Sequence, residues 1–261
     1  AIGSRLSGRL YGNRADAFLR GAKKYLVDID EGLVKKENQV VPFDVSMLCQ
    51  AGTFISLLYH KIKTKKLPNY SAWLKQTQQW RDKYDPVLPE YYKQKKYVNP
   101  YVFYRILSEE MKKRDILVGD CGGNIVISNQ AFKTKLGQRD ITNNGNSPMG
   151  FSFAAVMGAW LASSQNQRLQ NVVCTIGDGG FNMNIQELQT VVNYDLRFKT
   201  FIVNNHVYGI TKQFQETNFK GRFEACGPAG YNPPDFVKIV KAYGIKTLTI
   251  KSNAEIRKKI R

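Results

Sequence analysis

The chain has 261 residues, 43% of them hydrophobic and 23% charged, and its 39 lysines and arginines outnumber 21 aspartates and glutamates to give a formal charge of +18. This composition can bury a core, which excludes an intrinsically disordered chain or a low-complexity fibre. No apolar run is long enough to span a membrane, and the opening AIGSRLSGRL lacks the pattern of a signal peptide.

Cys49, Cys121, Cys174 and Cys226 are dozens of residues apart, so they form neither a disulfide framework nor a CxxC zinc site. A reducing cytoplasm is the expected compartment. The charge invites a nucleic-acid hypothesis. Its distribution argues against one: 26 lysines and 13 arginines are scattered, many as pairs such as Lys23-Lys24 and Lys95-Lys96, with no basic stripe and no RRM, KH or zinc-finger pattern.

In chain order, AIG reads as the end of a buried strand, which implies residues upstream. An apolar strand over 22–30 and a helix over 47–59 follow, the rhythm of a parallel α/β unit, and His60 at the end of that helix reads as a surface residue. Residues 1–62 are therefore expected to be part of one domain. The Lys-, Tyr- and Pro-rich stretch 63–98 reads as a linker carrying a docking helix, with Trp73 and Trp80 on one face; plain surface packing is the alternative for the two tryptophans.

A second α/β domain is expected over 99–261. It has a helix over 100–112, a strand over 115–118, the turn Cys121-Gly122-Gly123-Asn124, and a Gly/Ala-rich helix from about residue 150. A strand over 172–176, a helix over 181–194 and a strand over 199–203 come next. A polar loop, a helix over 234–244 and a strand over 246–250 complete the pattern. Strands alternating with helices define an α/β fold with a doubly wound parallel sheet.

Two short motifs flank one crossover. Gly177-Asp178-Gly179 ends one strand and Asn204-Asn205 ends the next, with 24 residues between them. Both strands of a βαβ unit finish on the same edge of the sheet, so Asp178 and Asn205 are expected to be neighbours. Carboxylate and amide oxygens there suit Mg²⁺, which completes its octahedron with substrate phosphates. Gly177, Gly179 and Gly180 let backbone N–H groups approach an anion at the start of the following helix. A GDG alone is a common turn and an NN alone proves nothing; the strand, helix and strand between them carry the reading.

The stretch GDGGFNMNIQELQTVVNYDLRFKTFIVNN resembles the thiamine diphosphate (ThDP) motif, and NNHVYGITKQFQETNFKGRFE with YNPPDFVKIVKAYGIK is similar to the acetohydroxyacid (acetolactate) synthase branch of that family. The likeness covers nearly the whole chain. It implies a ThDP-binding fold over 99–261, preceded by part of a Rossmann-like central domain.

The resemblance implies that Asp178 and Asn205 bind Mg²⁺ through their side chains and Val207 through its backbone carbonyl, with Tyr208, Gly209 and Ile210 along the cofactor. His206, between two of these ligands, is expected to point away. Cys121, Gly122, Gly123 and Asn124 stand where the family has Gly-Gln-His at the diphosphate, so one ring nitrogen is lost there. Ser147-Pro148-Met149 matches Gly-x-Met, whose methionine wedges the cofactor into a bent shape while the Ser147 carbonyl would face the aminopyrimidine; an unbranched, polarizable side chain suits that role. Lys212 and Phe214 replace an Arg and a Trp at the substrate pocket, leaving more room and removing a bidentate fork.

The implied activity is decarboxylation of a 2-oxo acid such as pyruvate, with carboligation to a carbonyl acceptor by a homodimer or tetramer with shared active sites. Simple decarboxylation or C–C lysis, or a keto-sugar acceptor, is the alternative within enzymes. A basic nucleic-acid binder and a catalytically dead subunit of the same fold are the alternatives outside them. The family's activating glutamate lies on another domain, and Glu187 is read as structural. Gly3-Ser4-Arg5 and Arg9 resemble a stretch that lines FAD or ADP in the family, with structural arginines as the other reading.

Overall fold

The computed structural model describes residues 1–6, 8–12, 14–165 and 170–261, without the side chain of Arg9. The chain forms two compact units, Ala1–Trp80 and Arg81–Arg261. The stretch 63–98, expected as one linker, is divided between them. Val87 is buried in the core of the second unit, and Tyr91 and Val98 pack against the same cluster.

In the first unit, β1 (Tyr25–Asp28) pairs in parallel with β2 (Val45–Leu48), from Tyr25 opposite Val45 to Asp28 opposite Leu48. Ile2 forms a single parallel bridge to Val27. Met47 and Leu48, expected in a helix, belong to β2. The helix is α1 (Ala51–Ile62), which starts where the Gln50 side chain accepts a hydrogen bond from the Thr53 N–H at 2.8 Å. On α2 (Ser71–Lys83) the Trp73 and Trp80 rings meet edge to face with centroids 5.5 Å apart, and both side chains are exposed.

The second unit is a parallel sheet in the order β4-β3-β5-β6, formed by β3 (Ile116–Gly119), β4 (Arg139–Ile141), β5 (Val172–Gly177) and β6 (Lys199–Val203). Its register sets Gly119 opposite Thr175 and Gly177 opposite Val203, so these strands end together on one edge. Successive strand side chains point to opposite faces. Leu117 and Val173 join α3 (Pro100–Glu110), including Val102, Tyr104 and Leu107, in one core cluster. Ile116, Val118, Cys174 and Ile176 face the other way and pack with Phe153 and Val156 of α5 (Phe151–Gln165) and with Phe181 and Phe236. Apolar layers on both faces make this the doubly wound α/β arrangement. A further helix, α4 (Gly123–Ala131), follows β3 directly.

The expected helix over 181–194 is broken. α6 (Asp178–Met183) begins at the aspartate of the motif, Asn184 leaves helical geometry at φ −126°, a 3-10 turn covers Ile185–Glu187, and α7 is Leu188–Asn193. The expected polar loop after β6 contains α8 (Gly209–Asn218). Gln215 closes the chain beyond it by accepting from the Glu224 N–H at 3.0 Å and donating to the Glu224 carbonyl at 3.0 Å. After α9 (Phe236–Ala242), residues 246–250 form no strand. Their alternation is strand-like, but a strand needs a ladder partner, and β6 remains a sheet edge among the described residues. Strand β4 lay hidden because Arg-Asp-Ile is too short and too charged to show a period.

Candidate functional site

The site forms where β3, β5 and β6 end. Asp178 opens α6 and is buried, 3% exposed. One of its oxygens, Oδ2, accepts a hydrogen bond from the His206 backbone N–H at 2.9 Å, so the loop after β6 folds onto the carboxylate. Burial pushes the Asp178 carboxyl above its usual range, against the opposing pull of the Gly179 and His206 N–H groups. Beside it the Asn205 side chain accepts from the Val207 N–H at 3.2 Å, which shapes the turn. His206 has φ 57°, the left-handed region, and is exposed.

Gly179 and Gly180 are required by what surrounds them. A Cβ on Gly179 would lie 2.4 Å from Tyr208 Cε1 and 2.9 Å from Met149 Cε; one on Gly180 would lie 2.3 Å from Asp120 Oδ2. These near contacts put Met149, Gly179 and Tyr208 against one another, three of the expected cofactor residues. The Tyr208 ring stacks on Tyr231 with centroids 3.9 Å apart, and the Tyr208 N–H donates to the Cys226 carbonyl at 2.9 Å. The buried Tyr231 hydroxyl completes no hydrogen bond of good geometry, while its burial and the nearby Asp178 charge push its pKa up.

Gly122 has φ 68° and precedes α4, and the position of its missing Cβ is 3.8 Å from Ile210 Cγ1. The turn 121–124 therefore approaches the segment containing Tyr208, Gly209 and Ile210. Asn124 is buried: Oδ1 accepts from the Tyr104 hydroxyl at 2.7 Å and from Thr175 Oγ1 at 3.4 Å, and Nδ2 lacks a partner. Burial and the Asp120 charge push the Cys121 thiol up to about 11, which keeps it protonated and a poor nucleophile at neutral pH.

Ser147 has φ 49°. Its left-handed backbone accounts physically for glycine in the pattern it resembles, since glycine meets no Cβ penalty there. Met149 is 40% exposed. Lys212 and Phe214 lie on α8 and make their aromatic contacts with the segment that follows it: the Lys212 ammonium is 5.3 Å from the Phe223 ring centroid, and Phe214 meets Phe219 edge to face at 5.9 Å.

Asp120 is the residue that motif spacing does not single out. Buried at the end of β3, it accepts from the Gly150 N–H at 3.2 Å and the Ser152 N–H at 3.0 Å. The available signal is a repetition: Gly119-Asp120-Cys121-Gly122 and Gly177-Asp178-Gly179-Gly180 close two adjacent strands alike.

Among the described residues no three His, Cys, Asp or Glu side chains cluster as a metal centre. The donor set expected here needs one carboxylate, one amide and one backbone carbonyl. A buried carboxylate at a helix start, beside a glycine pair that leaves backbone accessible, fits a hard cation with a bound diphosphate.

This sheet edge belongs to a cofactor-binding α/β domain, and residues 120–261 match the profile of the thiamine pyrophosphate enzyme, C-terminal TPP binding domain. The chain belongs to that family. Across its whole length it is 26% identical to the "Acetolactate synthase large subunit" of Cyanidium caldarium and 30% identical to the "Probable acetolactate synthase large subunit" of Methanocaldococcus jannaschii, covering 43% of each. It is 28% identical to the "Acetolactate synthase large subunit" of Pyropia yezoensis, with 98% of this chain matched to 42% of that protein. The chain thus spans less than half the length of these relatives. No helix among the described residues is long and apolar enough to cross a membrane.

Proposed function

We propose that the chain carries the cofactor-anchoring part of an acetolactate synthase-like enzyme, which decarboxylates a 2-oxo acid such as pyruvate and joins the product to a carbonyl acceptor. The observation that carries this reading is the buried Asp178 carboxylate held under the 204–207 loop by the His206 N–H. In this reading Asp178, Asn205 and the Val207 carbonyl hold Mg²⁺, and the start of α6 faces the diphosphate. Cys121, Gly122, Gly123, Asn124, Gly177, Gly179, Gly180, Tyr208, Gly209 and Ile210 line the cofactor.

Bound ThDP would supply the nucleophilic carbon and the electron sink that decarboxylation requires. The chain's own residues orient it. Met149 would support the cofactor from one side, the Ser147 carbonyl would accept from its amino group, and the glycines would let backbone donors reach phosphate oxygens. Subunits sharing active sites, a cytoplasmic location, and FAD or ADP beside Gly3-Ser4-Arg5 in the first unit belong to the same proposal. The Arg9 side chain lies outside the described residues.

Phe214 favours a second reading of the substrate. A phenyl ring where the resemblance implies an indole leaves space for a larger acceptor such as a keto sugar, and Lys212 offers a point charge in place of a fork. Labelled pyruvate supplied to the full-length protein with and without candidate acceptors separates these products. Release of CO₂ is the expected result; no CO₂ from any 2-oxo acid overturns the enzyme reading. Salt-sensitive DNA or RNA binding at physiological ionic strength would instead favour the basic binder.

A further inference from the structure

Met149 is followed by Gly150, whose φ of 89° and crowded surroundings admit no side chain: a Cβ there would lie 2.8 Å from Asn184 Nδ2 and 3.2 Å from the Gly180 carbonyl. A glycine beside a residue that must hold a shape is a weak point, because its backbone is the freest in the chain. Here both of its peptide groups are tied. The Gly150 N–H donates to Asp120 Oδ2 at 3.2 Å, and the Gly150 carbonyl accepts from Asn184 Nδ2 at 2.8 Å. The other Asp120 oxygen accepts from the Ser152 N–H at 3.0 Å, in the first turn of α5.

The two ties come from different elements. Asp120 directly follows β3, and Asn184 is the residue at which the helix after Asp178 breaks. The same α6 bears Gly179, whose missing Cβ leaves the space that Met149 Cε approaches. The Met149 loop is therefore held to α6 at its beginning by packing and at its end by a hydrogen bond.

We infer that Asp120 and Asn184 form a two-sided clamp on Gly150 that sets Met149 relative to Gly179, making both positioning residues for the cofactor's bent shape. The inference rests on the ThDP reading. It also explains the break at Asn184: a regular helix would carry that amide away from the Gly150 carbonyl, so helix continuity is exchanged for the tie.

Asn184→Asp keeps the shape and removes the donor, and Asp120→Asn keeps the shape and removes the charge that two N–H groups face. In the full-length protein with saturating Mg²⁺, both variants are expected to bind ThDP within about threefold of the parent, because neither substitution removes a residue that lines the cofactor. The near-ultraviolet circular dichroism of the bound aminopyrimidine and the pyruvate decarboxylation rate per bound cofactor are expected to fall about tenfold or more.

An unchanged dichroism band and rate in both variants would overturn the clamp. So would losses that merely track the folded fraction in thermal melts. If Asn184→Asp does not fold, Asp120→Asn carries the same test. Failure of the full-length parent protein to bind ThDP at all overturns the function reading itself and is distinguishable from every result above.

Discussion

The Asp178 carboxylate accepts a 2.9 Å hydrogen bond from the His206 backbone N–H, linking the end of β5 to the loop after β6. Asp178 is thereby fixed in place while burial disfavours its charge. Relief of that cost by a divalent cation would make binding cooperative with the existing fold. Asp178→Ala is expected to abolish Mg²⁺-dependent ThDP binding in calorimetry. Asp178→Asn is expected to lose the Mg²⁺ dependence while changing metal-free stability by no more than about 1 kcal/mol, because it removes an unfavourable buried charge and keeps an acceptor.

Gly180 and Gly123 form a matched pair for testing the packing at the sheet edge. A Cβ on Gly180 meets Asp120 Oδ2 at 2.3 Å, and that carboxylate is pinned by the N–H groups of Gly150 and Ser152. Gly180→Ala is expected to destabilise by about 2 kcal/mol or more. At Gly123, the first residue of α4, an added Cβ meets nothing within 4 Å. Gly123→Ala is expected to stabilise slightly, by about 0.5 kcal/mol, since it lowers the entropy of the unfolded chain. Urea denaturation of the two variants checks the contrast.

Asp85 accepts from Arg105 at 2.8 and 2.9 Å, and the guanidinium holds its carboxyl well below the usual range. Arg105 is largely buried and Asp85 half-buried, and Arg105 also donates to the Ala131 carbonyl at 3.0 Å. A depressed carboxylate pKa stabilises the fold fully above the unfolded value near pH 4 and progressively less as pH falls toward the folded value. Acid titration of stability should show that loss in the parent chain, and Asp85→Asn should flatten it. At neutral pH the same variant is expected to cost about 2 kcal/mol, because Arg105 is left without its counter-charge.

Tyr231 keeps its hydroxyl buried without a hydrogen bond of good geometry, while its ring stacks on Tyr208. Removing the hydroxyl retains the packing and relieves its desolvation cost, and it also takes a polar group away from the Asp178 carboxylate, so the two effects offset. Tyr231→Phe is therefore expected to change stability by no more than about 1 kcal/mol. A substantial fall in the melting temperature would mean that the hydroxyl contributes a bond to the fold.

The doubly wound sheet was legible because apolar runs, glycine turns and helical periods alternate along 115–203, and the ends of β3, β5 and β6 carry Gly-Asp or Asn-Asn. The junction Asp178 to 204–207 was legible for the same reason: one crossover has a nearly fixed length and hand. Elements that depend on partners were not. Residues 246–250 alternate like a strand and find no ladder, Arg-Asp-Ile joins the sheet with no periodic signal, and Met47-Leu48 pair with β1 although their spacing also suits a helix.

Local sequence thus determined which residue types arrive at the carboxyl edge, because strand, turn and crossover lengths are set by short-range geometry. Tertiary structure decided what holds them there. The break at Asn184, the burial of Asp120 and the crowding that keeps Gly179, Gly180 and Gly150 free of side chains come from groups distant along the chain meeting in a dense interior. No period in the sequence encodes such close approaches, since they depend on gaps of a few tenths of an ångström between elements that only folding brings together.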